Sequence, residues 1–424
     1  MRIHPDHIER HHAPLLDRHR RRFAAWQQEA EDAGIDTTAL IDRLARFQVA
    51  IPSWALGTGG TRFGRFAGGG EPRSLEEKLE DVGLLYALDG SSGAISLHIP
   101  WDIPTDPGGI REQAASLGLR FDAVNSNTFQ DQPGQPQSYK FGSLCHSDAA
   151  VRRLAVAHNI EVIGYGEALG SKALTVWLPD GSNFPGQHDF RAAHRRTLAS
   201  LAEIYAALPA DWSLLLEYKP YEPHFYSMVI PDWGTSLLMC SKLGAQAHCL
   251  VDLGHHLPNT NIEQIVAILQ GEQRLGGFHF NDSKYGDDDL SVGCIKPYQL
   301  FLIFQELVKG MDEGAAEPAW MIDASHNLKD PLEDLIQSVG AIRTAYARAL
   351  LVSAAGLRAA QEANDVTLAQ ELLHEAFATD VRPLLAEVRL RQGAALDPLQ
   401  LYRDLRVRAQ LVATRGSRTL ATGL

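Results

Sequence analysis

The chain has 424 residues, 45% of them hydrophobic, enough for a large core arranged as one big domain with appendages or as two domains. Its formal net charge of −13 and pI near 5.7 exclude a protein whose affinity comes from neutralising nucleic-acid phosphates. A local basic run, His19 to Arg22 with its neighbours, reads as the solvated face of a helix.

The first residues, "MRIHPDHIERHHAPLLDRHRRRF", lack the apolar core of a signal peptide, and no later stretch has the uninterrupted apolar length of a membrane span. The expectation is a soluble cytoplasmic protein with neither a membrane nor a nucleic-acid partner. Residues 1–48 read as an N-terminal helical segment holding two amphipathic helices, the second capped by Asp36 or Thr37. From about 49 to 330, short β-rich apolar runs alternate with helical patterns. The runs are "FQVAIPSWAL", "AISLHIPW", "FDAVNSNTF", "ALTVWLP", "WSLLLEYKP", "AHCLVDLGHH", "GGFHFND" and "AWMIDASHN". Between them lie amphipathic stretches such as "SLEEKLEDVGLLYALD" and "PYQLFLIFQELVKGM". Eight strands each followed by a helix predict an α/β protein with a (β/α)8 TIM barrel, whose parallel strands are buried and therefore continuously apolar. A doubly wound open sheet is the alternative. Residues 331–424 lose the strand pattern and read as a long helical C-terminal arm, of the kind that grips a neighbouring subunit in a symmetric oligomer. Cys145, Cys240, Cys249 and Cys294 show no C-x-x-C spacing, so they offer neither a disulfide framework nor a thiolate zinc site and read as buried free thiols.

The last four apolar runs each end on a residue able to bind metal: Glu217 in "LLLEYKP", Asp252 in "CLVDLGHH", His279 in "GFHFND" and Asp323 in "WMIDASHN". Any one of them is equally well a strand-end residue capping a helix or meeting an Arg or Lys. All four together are another matter, because strand ends of a barrel open into one shared mouth and a lone buried carboxylate there costs several kcal/mol. His255 follows Asp252 by three residues, and Asp287 and Asp289 stand two apart in the loop after His279. With Glu217 bridging, the residues divide into two metal sites: Glu217, Asp252, His279 and Asp323 for one, and Glu217, His255, Asp287 and Asp289 for the other. Oxygen-dominated ligands with one imidazole per site suit two divalent ions of the Mn²⁺, Mg²⁺ or Co²⁺ kind ahead of Zn²⁺. Asp282 and Asp288 read as supporting or solvated carboxylates. Lys219, two residues beyond Glu217, points to the same side of its strand. His98, Trp101 and Trp177 end the second and fourth strands. They read either as packed wall or as a sugar-binding surface, with aromatic faces for the apolar side of a sugar and His98 for a hydroxyl. The glycine-rich "GTGGTRFGRFAGGG" lacks the Gly-Lys-Ser/Thr end of a phosphate loop and reads as a loop over the mouth or at a subunit contact. No Gly-x-Ser-x-Gly elbow is present, which counts against nucleophilic catalysis.

Taken in order, "GTGGTRFGRF", "SLHIPWD", Glu217 with Lys219 two on, "VDLGHH", "HFNDSKYGDDDL" and "MIDASHN" resemble the broad-specificity L-rhamnose isomerases, a branch of the xylose-isomerase-like barrels. The resemblance runs from about residue 50 to 330. It implies a metal-dependent aldose–ketose isomerase acting on L-rhamnose and L-rhamnulose, with other pairs such as allose and psicose, in a homotetramer. It also implies that Glu217, Asp252, His279 and Asp323 hold a structural metal. His255, Asp287 and Asp289 then hold the catalytic metal, while Lys219 meets the substrate carbonyl oxygen and His98 and Trp101 line the pocket. Phe63 matches an aromatic contributed to a neighbour's pocket, with Phe66 close by. Lys219, His255, Asp287, Asp289 and Asp323 are thus the expected catalytic residues, and a hydride shift with a metal-bound water moving the proton between O1 and O2 is the expected route. Abstraction of a proton by a carboxylate such as Glu217, giving an enediol, is the competing one. The rival activities are a single-metal ketose 3-epimerase, a metal-dependent phosphodiesterase and a non-catalytic sugar-binding barrel.

Overall fold

In the computed structural model, which describes residues 2–57, 66, 68–324 and 328–418, eight parallel strands close into a barrel. They are β1 (Ala50–Pro52), β2 (Ala94–Ile99), β3 (Arg120–Ser126), β4 (Ala173–Trp177), β5 (Ser213–Glu217), β6 (Ala247–Asp252), β7 (Leu275–Phe280) and β8 (Ala319–Ile322). Each of the eight apolar runs contains one of these strands. The doubly wound sheet is excluded because β1 pairs with both β2 and β8, with Ala50 opposite Ala94 and Met321. Both faces of these strands are covered, which is why they read as apolar runs without alternation. Gly276 allows close packing within the wall, since a Cβ there would come within 2.4 Å of the His248 Cβ.

Register brings the strand ends to one level. Glu217 lies opposite Trp177 and Leu250, and Asp252 lies opposite His279. Asp323, just past β8, donates its backbone N–H to the Phe280 carbonyl. The loops after β4 and β5 meet in a small antiparallel ribbon, Gly181–Ser182 with Ser227–Met228, which the sequence pattern does not announce.

Helices follow every strand, the first being Leu75–Asp89 and the eighth Pro331–Ala349, which packs against Pro297–Asp312. The Ser74 side chain caps the first, and Gly90 ends it at φ 69°. The N-terminal segment contains three helices rather than the expected two: Pro5–His12, Leu16–Asp32 and Thr37–Arg46. The break falls at Pro14, which has no N–H to continue the ladder. Of the two candidate caps, Asp36 is the one that accepts from the N–H groups of Thr38 and Ala39. Beyond 349, five more helices follow among the described residues, Ala354–Glu362, Val366–Ala378, Arg382–Arg391, Pro398–Asp404 and Val407–Arg415. Arg382–Arg391 packs back on the N-terminal helices of its own chain, with Glu387 accepting from His19 at 2.8 Å. All four cysteines are free. Three are buried, but Cys294 is exposed, against the expectation, in the loop after β7. Among the described residues no helix is long and apolar enough to cross a membrane.

Candidate active site and metal centre

The strand ends β5 to β8 bring four ligand-type side chains together. Atoms of Glu217, Asp252, His279 and Asp323 lie within 4.8 Å of one another, as do atoms of Asp252, His255 and Asp287. The His279 Nδ1 stands 3.4 Å from Glu217 Oε1, 3.7 Å from Asp252 Oδ2 and 3.4 Å from Asp323 Oδ2. These separations are long for hydrogen bonds and leave the buried nitrogen without a proper partner among the described residues. His255 lies 3.2 Å from Glu217 Oε1 through Nδ1 and 3.4 Å from Asp287 Oδ2 through Nε2. Glu217 therefore touches both imidazoles, while Asp252 is the residue shared by the two clusters.

The electrostatics of this group suit a cation. Burial works against a charge on His279, but Glu217, Asp252 and Asp323 outweigh it and hold its pKa well above the ordinary imidazole value. His255 is raised in the same way, against burial, by Asp252 and Asp287. Burial alone would raise Glu217, yet the two imidazoles bring it down to about 2. Asp323 is raised by burial, with His279 opposing. The unpartnered Nδ1 and the oxygen-rich donor set fit a divalent ion well.

Asp289 lines the same cavity but belongs to neither cluster, and its backbone is left-handed at φ 50°. Lys219 Nζ donates to Asp287 Oδ2 at 2.5 Å and to Glu222, and sits 5.1 Å above the Trp177 ring. His98 stacks on Trp101 at 4.0 Å and lies edge-on to Trp54 at 5.5 Å. Phe129 meets Trp177 edge-on at 4.9 Å. These aromatics enclose a cavity of about 460 Å³ that opens onto the two carboxylate–imidazole clusters, a volume suited to one small molecule. Burial lowers His98 to about 3, so its imidazole is neutral. Phe63 lies outside the described residues; Phe66 is exposed and is not part of the cavity wall.

Several residues here escape a reading of the sequence. The Trp54 indole N–H donates to Asp323 Oδ1 at 3.0 Å, and Asn281 donates to Asp252 Oδ1 at 2.8 Å and to the Asp323 carbonyl at 3.1 Å. Glu222 arrives from an irregular loop where strand period gives no guidance. The remaining acids of the "DSKYGDDDL" loop tie the backbone: Asp282 accepts from Ile295 and Lys296, and Asp288 from Lys284 and Tyr285.

No protein-family model matches the chain. Over 384 residues, 90% of this chain and 89% of the other, it is 54% identical to a protein of Rhizobium meliloti (strain 1021) named "Probable sugar isomerase". It is 50% identical over 418 residues, 98% of this chain and 97% of the other, to a protein of the same name from Mesorhizobium japonicum. Among solved structures, that of an L-ribulose 3-epimerase superposes with a TM-score of 0.52 at 16% identity, covering 73% of this chain and 98% of that one. This last likeness speaks to the barrel fold.

Proposed function

This chain belongs to the sugar isomerase family of its two rhizobial relatives, and from that premise we propose that it interconverts L-rhamnose and L-rhamnulose, together with related pairs such as D-allose and D-psicose. The observation that carries the reading is the pair of clusters sharing Asp252, set beside Lys219 at the bottom of an aromatic-walled cavity. Glu217, Asp252, His279 and Asp323 would hold one divalent cation and His255, Asp287 and Asp289 would complete a second, with Mn²⁺ the expected ion and Mg²⁺, Co²⁺ or Zn²⁺ as substitutes. Bound there, such ions supply Lewis acidity toward neighbouring sugar oxygens.

The chain's own residues supply the rest. Moving hydrogen between C1 and C2 of an open-chain sugar builds negative charge on both oxygens, and the Lys219 ammonium, fixed by Asp287 and Glu222, is placed to stabilise it. Trp101, Trp177 and Phe129 offer apolar faces and exclude water from the reacting carbons. Neutral His98 exchanges a hydrogen bond with a sugar hydroxyl without adding charge. Trp54 holds one oxygen of Asp323 and so fixes its orientation. Glu217, as a ligand of the proposed cation, would be a poor base for carbon, which favours direct hydride transfer over an enediol. The ketose 3-epimerase reading needs one cation and leaves His255, Asp287 and Asp289 without a task. We also read the chain as a homotetramer. The helix Val366–Ala378 buries only Ala376 and exposes Val366 and Leu368, as a subunit contact would.

The test is to strip the protein with EDTA, restore Mn²⁺, and assay L-rhamnose, D-allose and L-lyxose for ketose. Ketose formed only after restoration supports the reading; metal-independent turnover, or no ketose from any of the three aldoses while added D-psicose is epimerised at C3, overturns it.

A further inference from the structure

Asp102 lies in the turn after β2, and its side chain is buried against groups from three elements. Its Oδ1 accepts from Lys78 Nζ at 2.6 Å, in helix Leu75–Asp89. Its Oδ2 accepts from the Ser53 hydroxyl at 2.5 Å, just past β1, and from the His98 backbone N–H at 2.9 Å, in β2. The Asp102 N–H returns a bond to the His98 carbonyl at 2.9 Å, so residues 98–102 are closed from both sides. Ser53 and Lys78 are fully buried, and Asp102 is 2% exposed.

A buried ion pair is a poor way to gain stability, because desolvating two charges offsets most of what their attraction returns, and apolar residues of the same volume would serve as well. What a carboxylate adds is direction: two oxygens fix three donors at set angles. The residues beside those donors are the ones that form one wall of the sugar cavity. Ser53 is followed by Trp54, whose indole holds Asp323, while His98 and Trp101 begin and nearly end the closed turn and stack face to face.

We infer that Asp102, with Lys78 and Ser53, is a positioning group that sets the mutual placement of Trp54, His98 and Trp101, and hence the affinity of the pocket for sugar. The inference rests on the sugar isomerase reading of the cavity. No atom of Asp102, Lys78 or Ser53 belongs to either metal-ligand cluster or to the cavity lining, so the effect passes through the wall.

Two variants separate positioning from bulk stability. Ser53→Ala removes one strut without stranding a charge. Lys78→Met combined with Asp102→Asn removes the charge pair while keeping an oxygen for the His98 N–H. In the Mn²⁺-loaded enzyme each raises KM for L-rhamnose about tenfold with kcat within about twofold, the loss of about one well-placed contact. The affinity for L-rhamnitol, which cannot react, weakens by the same factor in calorimetry, and Mn²⁺ affinity is unchanged. A lower melting temperature with KM and L-rhamnitol affinity unaltered in both variants overturns the inference. If the wild-type protein turns over no aldose yet binds L-rhamnitol, the isomerase reading falls while the comparison of affinities still tests the wall. If it does neither, both readings fall.

Discussion

His98 is buried between Trp54, Trp101 and Phe129, and desolvation is the main cause of its lowered value, with His158 and Lys78 lowering it further and Glu217 opposing them. With a folded value of about 3 against 6.5 in the unfolded chain, the unfolded state takes up the proton first as the pH falls. This residue therefore costs nothing above pH 6.5 and draws stability down as pH falls from 6.5 towards 3. Its imidazole should show no titration between pH 5 and 9 by NMR, and His98→Gln should raise KM without moving the limbs of the pH–rate profile; loss of a limb in the variant would contradict the neutral role. At the second cluster, Asp287→Asn or His255→Ala should lower kcat by at least about 100-fold while L-rhamnitol binding persists, since each removes a group expected to act in the transition state. Normal turnover in either variant removes that cluster from the mechanism. The cluster of Glu217, Asp252, His279 and Asp323 was legible in the sequence because each ends an apolar strand, and strand ends of a barrel share one mouth. Trp54, Asn281, Glu222 and Asp102 were not, because their roles depend on how loops fold back, and no period in the chain encodes that.

At the scale of elements, the last helix is held to the first barrel helix by a buried charge pair. Arg415 Nη1 donates to Asp81 Oδ2 at 2.8 Å, with side chains 4% and 1% exposed. Burial pushes the Asp81 carboxyl up to about 6, with Arg415 pulling it back down. A raised carboxyl favours the folded state below the unfolded value of 3.8, and that contribution is lost as the pH rises through 6. Arg415→Met strands the carboxylate, raises its value further and should cost about 3–5 kcal/mol at pH 8 in urea unfolding. The cost should shrink at pH 5, where the lone carboxyl is protonated, and Asp81→Asn in the same chain should restore most of the loss; equal destabilisation at both pH values would contradict this account. The terminal helices were visible as amphipathic patterns, but periodicity states only that an apolar face exists. Whether that face meets its own chain, as Arg382–Arg391 meets Leu16–Asp32, or a second subunit is decided by packing.

For the molecule as a whole, the alternation of eight apolar runs with helical patterns was enough to place the barrel, because parallel buried strands have a composition that surface strands lack. Closure itself came from pairing that joins residues far apart in sequence, Ala50 with Met321, which no local pattern reveals. The net charge of −13 is consistent with an acidic mouth that concentrates cations, and the account stands or falls on how many of them the working protein needs. The direct measurement is a titration of metal-stripped protein with Mn²⁺, following bound ion per chain and ketose formed from L-rhamnose together. Turnover that emerges only as the second equivalent binds is the predicted result; full activity with one ion or none would contradict it.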